Sequence, residues 1–484
     1  MKKGFWRLGT MAALLFVFAA CNEAAYEPVV YLATEEAAEI VEAVEAVDYV
    51  AVYENPQETE VDEYEDYVQE IAETAAQPEP PAHYFDIFAS GRTRGEYLED
   101  LDHLYSTLAA NFPFFGVIYR ARGVDMHERY RIAREYIEAV GHIRDDAHFA
   151  EIINHLFIGR ARSAGHFDML QGEMLRLHIE VFSNQVARYG NQFLYFLYEL
   201  DNPATRALHG LTDESFAPPV PGEGSLVFAT TSNNIETRII EPGRIAYVNI
   251  LSMSHATMRL DRETLLDFYH HIADFDHLII DIRQNGGGDA RFFSDLVIAP
   301  NISEPLEYHF YMLMMDGGHN RRLLETWFGS WWEDTPGYST FRPIHDDLLY
   351  RLIYLNADDA QMLEFYWARH GLIQPSQAEA IFGGKIWLLV GERNFSASEQ
   401  AAAISRQTGF ATLVGETTGG DGIGINPLVL ALPNSGVVVR FSPVYGTDPL
   451  GRNNQEFGTD PHVFNRPRRD ALQTTLELIA EGNW

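Results

Sequence analysis

The stretch from Lys385 to Gly409 constrains the fold of this chain more than any other. It begins with the apolar run KIWLLV (385–390), whose content of Ile, Val and Trp predicts a buried strand. A polar turn, GERNFSAS (391–398), follows, and the small-residue run QAAAISRQ (400–407) predicts a helix that ends at Gly409. Ser396 therefore lies on a turn between a strand and a helix.

The position of Ser396 has two interpretations. The start of a helix carries unpaired N–H groups and about half a positive charge, which suits a nucleophile whose attack creates an oxyanion. However, Ser396 and Glu399 also fit the S-x-x-E pattern of a capping box, in which the serine only satisfies backbone N–H groups. From these residues alone, capping is the more common role.

A second unit of regular structure precedes this turn. Arg244–Leu251 predicts a strand, residues 261–275 an amphipathic helix, and His277–Ile282 a second, buried strand. The order strand, helix, strand implies a parallel pair with a crossover helix. The second strand runs into Gly286–Gly288, three glycines that let the backbone approach a ligand closely with its N–H groups exposed; a flexible turn is the alternative. No Gly-Lys-Ser/Thr follows, so this is not a phosphate loop.

The first 21 residues have the features of a processing signal. Three basic residues near the start precede the apolar run 11–18, and Ala19 and Ala20 stand directly before Cys21. This pattern resembles a bacterial lipoprotein signal in which Cys21 is lipidated, although Phe18 replaces the usual leucine; a plain secretory signal is the alternative. We therefore expect an exported, outward-facing lipoprotein of the cell envelope, which touches the membrane only through a lipid anchor and is secreted if Cys21 is not lipidated.

The charge of the chain argues against one class of partner, and its cysteine content excludes internal disulfides. The formal net charge of −35 argues against a nucleic-acid partner, because binding to phosphates requires a basic face. Residues 22–82 contain 18 acidic residues and neither Lys nor Arg, which predicts an acidic disordered tether over residues 22–83. Cys21 is the only cysteine, so disulfides within the chain are impossible.

The remaining sequence divides into three predicted parts. Residues 84–165 show three helical repeats of apolar residues and form an N-terminal helical module, which leads into a glycine-bearing loop with His166. Residues 166–235 alternate apolar runs such as LHIEVF, FLYFLYEL and SLVFATT with Pro/Gly loops, which predicts a β-rich connecting region. Residues 236–484 form an α/β core, interrupted at 291–380 by an aromatic insertion that either covers a cleft or packs in the core.

Three motifs in this order resemble a known family. IIDIRQNGGG (279–288), NFSASEQAAA (394–403) and ATLVGETTGG (411–420) resemble the serine peptidases of the C-terminal-processing (tail-specific) and tricorn-core type. The resemblance runs from about residue 95 to the C-terminus. It implies an α/β fold with a crotonase-like ββα spiral catalytic core and an N-terminal three-helix module, and it favours the nucleophile interpretation of Ser396.

The resemblance also implies roles for further residues. The oxyanion would be held by the N–H groups of Ala397 and of Gly287 or a neighbour. Tail-specific members use a lysine 25 residues after the serine, but here 396 + 25 = 421 is Asp421, so a lysine dyad is excluded.

The tricorn-like branch instead uses a loop histidine, and His166 fits that place as general acid and base. Gly165 replaces the serine that precedes this histidine in tricorn. Glu456 matches the neighbourhood of the glutamate that supports the histidine, and Asp421 is a rival orienting residue.

The sequence thus predicts a serine peptidase that hydrolyses peptides or unfolded protein tails, without a cofactor. His270, His271 and His277 lack the spacing of metal ligands, so no metal is expected. The alternative is a non-catalytic protein that binds apolar ligands or peptides on the same scaffold, as retinoid-binding relatives do. Esterase chemistry is weaker, because there is no Gly-x-Ser-x-Gly motif.

Overall fold

The computed structural model describes residues 88, 90–189, 194–216, 232–328 and 341–482. All of them belong to one of the two units into which the chain divides, Pro78–Trp484. The predicted signal (1–21), the acidic tether (22–83) and the predicted strand SLVFATT lie outside the described residues.

The helices of the described residues follow one another from the N-terminal part to residue 481. They are α1 (Arg94–Asn111), α2 (Phe115–Arg122), α3 (Met126–Ala139), α4 (Asp146–Ile153), α5 (Gly172–Tyr189), α6 (Leu194–Leu200), α7 (Pro203–His209), α8 (Asp213–Phe216), α9 (Met258–His271), α10 (Arg291–Phe293), α11 (Gly318–Phe328), α12 (Asp346–Arg351), α13 (Ala357–Ala360), α14 (Ala397–Thr408), α15 (Asn454–Phe457) and α16 (Ala471–Glu481). Short π- and 3₁₀-helical turns extend α4 and α10, and a 3₁₀ turn contains His166.

The strands of the described residues form three sheets. They are β1 (Asp168–Leu170), β2 (Ile235–Glu241), β3 (Ile245–Ile250), β4 (His277–Asp281), β5 (Leu306–Met314), β6 (Arg342–Pro343), β7 (Phe365–Ile373), β8 (Lys385–Val390), β9 (Thr412–Gly415), β10 (Leu428–Ala431), β11 (Val438–Phe441), β12 (Val444–Thr447) and β13 (Val463–Phe464). Their orders are β13-β9-β8-β4-β3-β2, β12-β5-β7-β6 and β1-β11-β10.

The six-stranded sheet carries the motifs that the sequence singled out. Strands β3, β4, β8, β9 and β13 are parallel, and α9 connects β3 to β4, as the strand-helix-strand pattern predicted. Their buried side chains, among them Ile279, Trp387 and Leu389, pack against Leu478 and Ile479 of α16. Asp470 starts α16 with a capping box, which satisfies N–H groups at the helix start. The chain is therefore a mixed α/β protein.

The N-terminal helices differ in number from the prediction. The sequence predicted three, but the structure has α1 to α4 between residues 90 and 165. The additional helix is α2, which starts two residues after Pro113 and buries Val117 and Ile118. Its eight residues are too few for a clear apolar repeat, which explains why the sequence pattern did not reveal it.

The prediction of a β-rich region over residues 166–235 was wrong for the described part. Apart from β1, the described residues 171–216 form the helices α5 to α8. The run LHIEVF, predicted as a short strand, lies in α5: Leu177 is 47% exposed, while Leu175, Ile179 and Phe182 are buried at helical spacing. A short apolar run does not distinguish a strand from a helix, and here the packing of one helix face decided.

The aromatic insertion contributes a sheet. The run YHFYMLMM lies on β5, which pairs with β7 and with β12, and Phe310 and Met312 are buried there. Core packing thus explains the aromatic residues of β5; residues 329–340 lie outside the described part.

The described residues contain neither a candidate membrane-spanning helix nor a candidate metal cluster. In that part of the chain, no helix combines the length and the apolar character needed to cross a membrane. Nor do three or more His, Cys, Asp or Glu side chains come together there in a way that could hold a metal ion.

Candidate active site

Two loops that leave neighbouring parallel strands build the centre of the candidate site. The glycine loop, residues 282–289, follows β4, and the serine turn, residues 391–396, follows β8. Strands β4 and β8 are paired in parallel, so both loops emerge at the same edge of the sheet. This carboxyl edge is where open α/β sheets bind ligands.

Ser396 has a strained backbone. Its φ of 58° and ψ of −123° lie outside the regions that L-residues normally adopt, and it directly precedes α14. The side chain makes no capping hydrogen bond to the helix, so the capping interpretation was wrong. The backbone is held instead by two hydrogen bonds, from Ser396 N–H to the Gly420 carbonyl (3.2 Å) and from Gln400 N–H to the Ser396 carbonyl (2.9 Å).

The glycine loop touches the serine turn backbone to backbone. A Cβ on Gly287 would lie 2.6 Å from the Phe395 carbonyl oxygen and 2.9 Å from the Ala397 nitrogen, and its φ is 105°. Only glycine therefore fits at position 287, for both reasons. This close approach places the loop beside the predicted nucleophile.

Three buried polar side chains fasten the loop to the turn, and the sequence analysis did not single them out. Asn394 donates to the carbonyls of Ile282 and Asn285 and accepts from Gly391 N–H, while Ser398 donates to the Asn285 carbonyl. Asn285 in turn donates to Ile250 O and accepts the Gly287 N–H at 2.8 Å. Asn394 and Ser398 stand two residues to either side of Ser396, and this flanking pattern of small polar residues is a signal that could have found them.

The N–H groups available for an oxyanion differ slightly from the prediction. The Gly287 N–H is taken by Asn285, as described above. Gly288 forms a parallel bridge with Met253: the Gly287 carbonyl accepts from Met253 N–H, and Asp289 N–H donates to the Met253 carbonyl. The Gly288 N–H therefore points away from Met253. Within the described part of the chain, neither Gly288 N–H nor Ala397 N–H has a hydrogen-bond acceptor. The neighbour, Gly288, is thus the better candidate.

The glycine loop ends at a fixed carboxylate. Asp289 accepts from His255 Nδ1 (2.7 Å) and from Arg291. Although burial opposes it, hydrogen bonding from Arg291 lowers the pKa of Asp289 to about 2. Asp289 therefore stays ionised at neutral pH, and its N–H donates to the Met253 carbonyl, which fixes the end of the loop.

His166 lies beside the serine turn on a tightly held loop. Its ring packs against Phe395, the residue before Ser396, with the ring centroids 4.6 Å apart, and its side chain is 13% exposed. The backbone at His166 has a φ of 53°, and the preceding Gly165 has 54°. A Cβ on Gly165 would lie 2.5 Å from the Phe114 ring, so the serine expected here by resemblance to tricorn has no room.

Asp421, and not Glu456, is the carboxylate that contacts His166. His166 Nδ1 is hydrogen-bonded to Asp421 Oδ2, and the Asp421 side chain is only 2% exposed. Asp421 follows Gly420, whose carbonyl accepts the Ser396 N–H. The His166–Asp421 pair is therefore connected to Phe395 and Ser396 of the serine turn. In the described residues, Ser396 Oγ has no hydrogen bond of its own.

Glu456 is engaged elsewhere, which corrects its predicted role. Arg120 of α2 binds both oxygens of Glu456, at 2.9 and 2.8 Å, and the same guanidinium contacts Asp359. A bidentate pair of this kind fixes the carboxylate geometrically. Glu456 therefore anchors α15 to α2 rather than orienting His166.

Glu399, the other half of the supposed capping box, is buried under the site. Its Oε1 accepts from Asn454 Nδ2 (2.7 Å) and from Thr459 Oγ1, while Oε2 has no hydrogen-bond partner. Burial raises the pKa of Glu399 above its ordinary value, against the hydrogen bonds from threonine and asparagine. A buried carboxyl group with one unpaired oxygen is favoured in its neutral form.

Comparison with known proteins identifies the class of this chain. Residues 244–464, which include the glycine loop, Ser396 and Asp421, match the family Peptidase S41. This match covers 221 of the 484 residues (464 − 244 + 1) and supports a serine peptidase of family S41. No curated protein matches the sequence.

Several solved structures are similar in part. A predicted peptidase from Parabacteroides merdae has 18% identity and a TM-score of 0.47, over 79% of this chain and 96% of that one. Mature CPAF, in a complex with lactacystin, has 12% identity and a TM-score of 0.45, over 80% and 97%. The tricorn protease has 18% identity and a TM-score of 0.27, over 50% of this chain and 18% of that one. None of these three scores reaches 0.5, so the family assignment rests on residues 244–464.

The close approach at Gly287 predicts that a single methyl group disrupts the site. We expect Gly287→Ala to lower the free energy of unfolding by about 2 kcal/mol or more, because of the backbone contacts and the positive φ. Gly286→Ala is the matched control, since a Cβ there meets nothing within 4 Å. Urea unfolding of both variants measures the difference, and equal stabilities would contradict the packing of the loop.

Burial of Glu399 predicts a pH-dependent stability. Above a pH of about 4.5, the ordinary pKa of glutamate, the unfolded chain loses this proton while the folded protein keeps it, so stability falls as pH rises toward the folded pKa. We expect Glu399→Gln, which imitates the neutral acid, to weaken this fall. Tm measured from about pH 5 to 8 tests it, and parallel curves for the two proteins would show that Glu399 does not titrate in this way.

Proposed function

We propose that this peptidase cleaves peptide bonds through an acyl-enzyme on Ser396, with His166 as general acid and base and Asp421 as the orienting carboxylate. The observation that carries the proposal is the backbone at these three residues. Ser396, His166 and Asp421 have φ values of 58°, 53° and 54°, and they account for three of the five non-glycine residues with positive φ in the described part of the chain. Strain of this kind clusters at active sites, where the surrounding structure holds it.

The hydrogen bond between His166 and Asp421 sets the direction of proton transfer. A carboxylate only accepts hydrogen bonds, so His166 Nδ1 carries the hydrogen and Nε2 carries the lone pair. Nε2 takes the proton of Ser396 Oγ as this oxygen attacks the substrate carbonyl carbon. The peptide C–N bond then breaks, and the same proton passes to the leaving amine. Water then attacks the acyl carbon and gives a proton to Nε2. The ester C–O bond to Ser396 breaks, Nε2 returns that proton to Ser396 Oγ, and the acid leaves.

The developing oxyanion would be held by Ala397 and Gly288. The N–H group of Ala397 lies at the start of α14, and that of Gly288 lies in the glycine loop. The two segments meet at Gly287, and neither N–H has an acceptor within the described part of the chain. Two preorganised backbone donors stabilise a tetrahedral intermediate, and removal of one typically costs about 3 kcal/mol. Ser396 Oγ has no hydrogen bond in the free enzyme, and such contacts commonly tighten only with substrate.

We further infer that the core has the crotonase-like ββα spiral arrangement, supported by the consecutive parallel strands β3, β4, β8 and β9, with α9 and α14 as connecting helices. The substrate class is peptides or unfolded protein tails. The alternative, a non-catalytic protein for apolar ligands or peptides, is not favoured, because a binding protein has no need for strain at Ser396, His166 and Asp421.

Reaction with a fluorophosphonate probe tests the mechanism. We expect labelling of the wild-type protein, none of Ser396→Ala, and a rate reduced by about 10²–10⁴-fold for Asp421→Asn and for His166→Ala. Glu456→Gln separates the two carboxylates: Glu456 contacts Arg120 and not His166, so this variant should slow the reaction less than Asp421→Asn does. Hydrolysis of fluorescently labelled casein, an unfolded protein, should follow the same order. A folded wild-type protein that neither reacts nor cleaves would overturn the proposal.

We also propose that the enzyme works outward-facing on the cell envelope, anchored through lipid on Cys21. The signal-like sequence before Cys21 and the acidic segment 22–83 support this. In a bacterial host, we expect the full-length protein in the membrane fraction and Cys21→Ala outside it. A lipid precursor with a radioactive label should be incorporated by the wild type alone. Equal fractionation of both proteins would contradict the anchor.

A further inference from the structure

The short helix α15 and its flanks contact every segment that carries the proposed catalytic pair. Gln455 Oε1 accepts the N–H of Gly165, the residue before His166, at 2.8 Å. Asn454 Oδ1 accepts the N–H of Gly422, the residue after Asp421, at 2.7 Å. Neighbouring side chains of one helical turn thus hold the two loops from which the pair comes.

We propose that Gln455 is a positioning residue for His166 and that Asn454 is the corresponding positioning residue for Asp421. The proposal rests on the proposed function, because positioning has a consequence only if His166 and Asp421 act on Ser396. Neither Gln455 nor Asn454 is among the residues that the sequence motifs pointed to.

The backbone at Gly165 explains why Gln455 is needed. Gly165 and His166 both have left-handed φ values; glycine adopts such a φ readily, but at His166 the surrounding structure has to hold it. The Gly165 carbonyl accepts from Ser442 N–H at 2.6 Å, and its N–H has Gln455 as its hydrogen-bond acceptor. Without that acceptor, a partly buried N–H is left unpaired and one of the two restraints on the loop is lost. The imidazole would then lose its fixed orientation.

Asn454 supports the Asp421 segment in a similar way. Its side-chain amide donates to the buried Glu399 and accepts from Gly422, so both ends of the amide are used. Its backbone also packs against this segment, since a Cβ on Gly420 would lie 2.5 Å from the Asn454 carbonyl oxygen. Asp421 itself has a φ of 54° and lies between these two contacts.

The turn is itself rigidly attached. Asn453 caps α15 by accepting the Glu456 N–H at 2.9 Å, and Arg120 binds the Glu456 carboxylate with two hydrogen bonds. Arg120 also contacts Asp359, and Asp359 accepts from Tyr445 at 2.8 Å. A chain of charge-assisted hydrogen bonds therefore joins α15 to α2 and to the segment around α13, and it keeps the Gln455 side chain in place.

The test replaces the acceptor and then restores it. Gln455→Leu removes the acceptor, and we expect the maximal rate of inactivation by a fluorophosphonate to fall about 10–100-fold, with the half-saturating probe concentration unchanged. Gln455→Glu still accepts from Gly165 N–H and should recover most of that rate. Its added carboxylate stabilises the imidazolium form of His166, so the acid limb of the pH–rate profile should move to higher pH. Gln361→Leu, at an exposed glutamine of the surface, is the matched control.

The outcomes separate this inference from the proposed function. If the wild type reacts and Gln455→Leu reacts equally fast, the positioning role is wrong and the mechanism stands. If Gln455→Glu loses as much rate as Gln455→Leu and its pH profile does not move, the side chain serves only packing, which also overturns the inference. A wild type that does not react refutes the proposed function instead. Circular dichroism and Tm establish that each variant is folded before its rate is compared.

Discussion

The contact between two backbones, that of the glycine loop and that of the serine turn, is the constraint on which the rest of the site depends. At Gly287 there is no space for a side chain, because the Phe395 carbonyl and the Ala397 nitrogen are already within contact distance of its Cα hydrogens. Parallel pairing of β4 with β8 brings the two loops to the same edge of the sheet, and Asn394 and Ser398 then fasten them together. This contact brings the N–H groups of Gly288 and Ala397, which have no acceptor within the described residues, close to Ser396.

Residues with strained backbones lie next to hydrogen-bonded buried polar groups around this contact. Ser396, His166 and Asp421 have unfavourable φ values, and the buried amides of Asn285, Asn394 and Asn454 beside them use both their donor and their acceptor in hydrogen bonds. Such networks specify one arrangement when they are satisfied and are costly when a member is removed. Asn285, for example, donates to Ile250 O and accepts from Gly287, so it fixes the loop from inside. Glu399 is the exception, with one unpaired oxygen, and burial favours its neutral form.

Local sequence patterns predicted much of this architecture, and contacts between residues far apart in the sequence determined the rest. The apolar runs before Gly286 and before Ser396 predicted β4 and β8 because a buried strand leaves a strong pattern. The choice between Asp421 and Glu456 could not be made in this way, since both are acidic residues in glycine-bearing segments. It depends on Arg120, more than 300 residues before Glu456, which binds that carboxylate. The sequence predicted a strand within α5, because a short apolar run fits the two-residue period of a strand as well as the 3.6-residue period of a helix.

The order of the parts along the chain has a consequence for the making of this enzyme. The proposed base, His166, precedes the proposed nucleophile, Ser396, by 230 positions (396 − 166), and the turn proposed to position the base begins another 58 positions on (454 − 396). During translation, the segment with His166 is therefore synthesised first, the segment with Ser396 second, and the turn with Asn454 and Gln455 last. With the proposed roles, a nascent chain would have no aligned pair of base and nucleophile until its last part is synthesised, and the compartment in which the protein is translated would be protected from its activity until then.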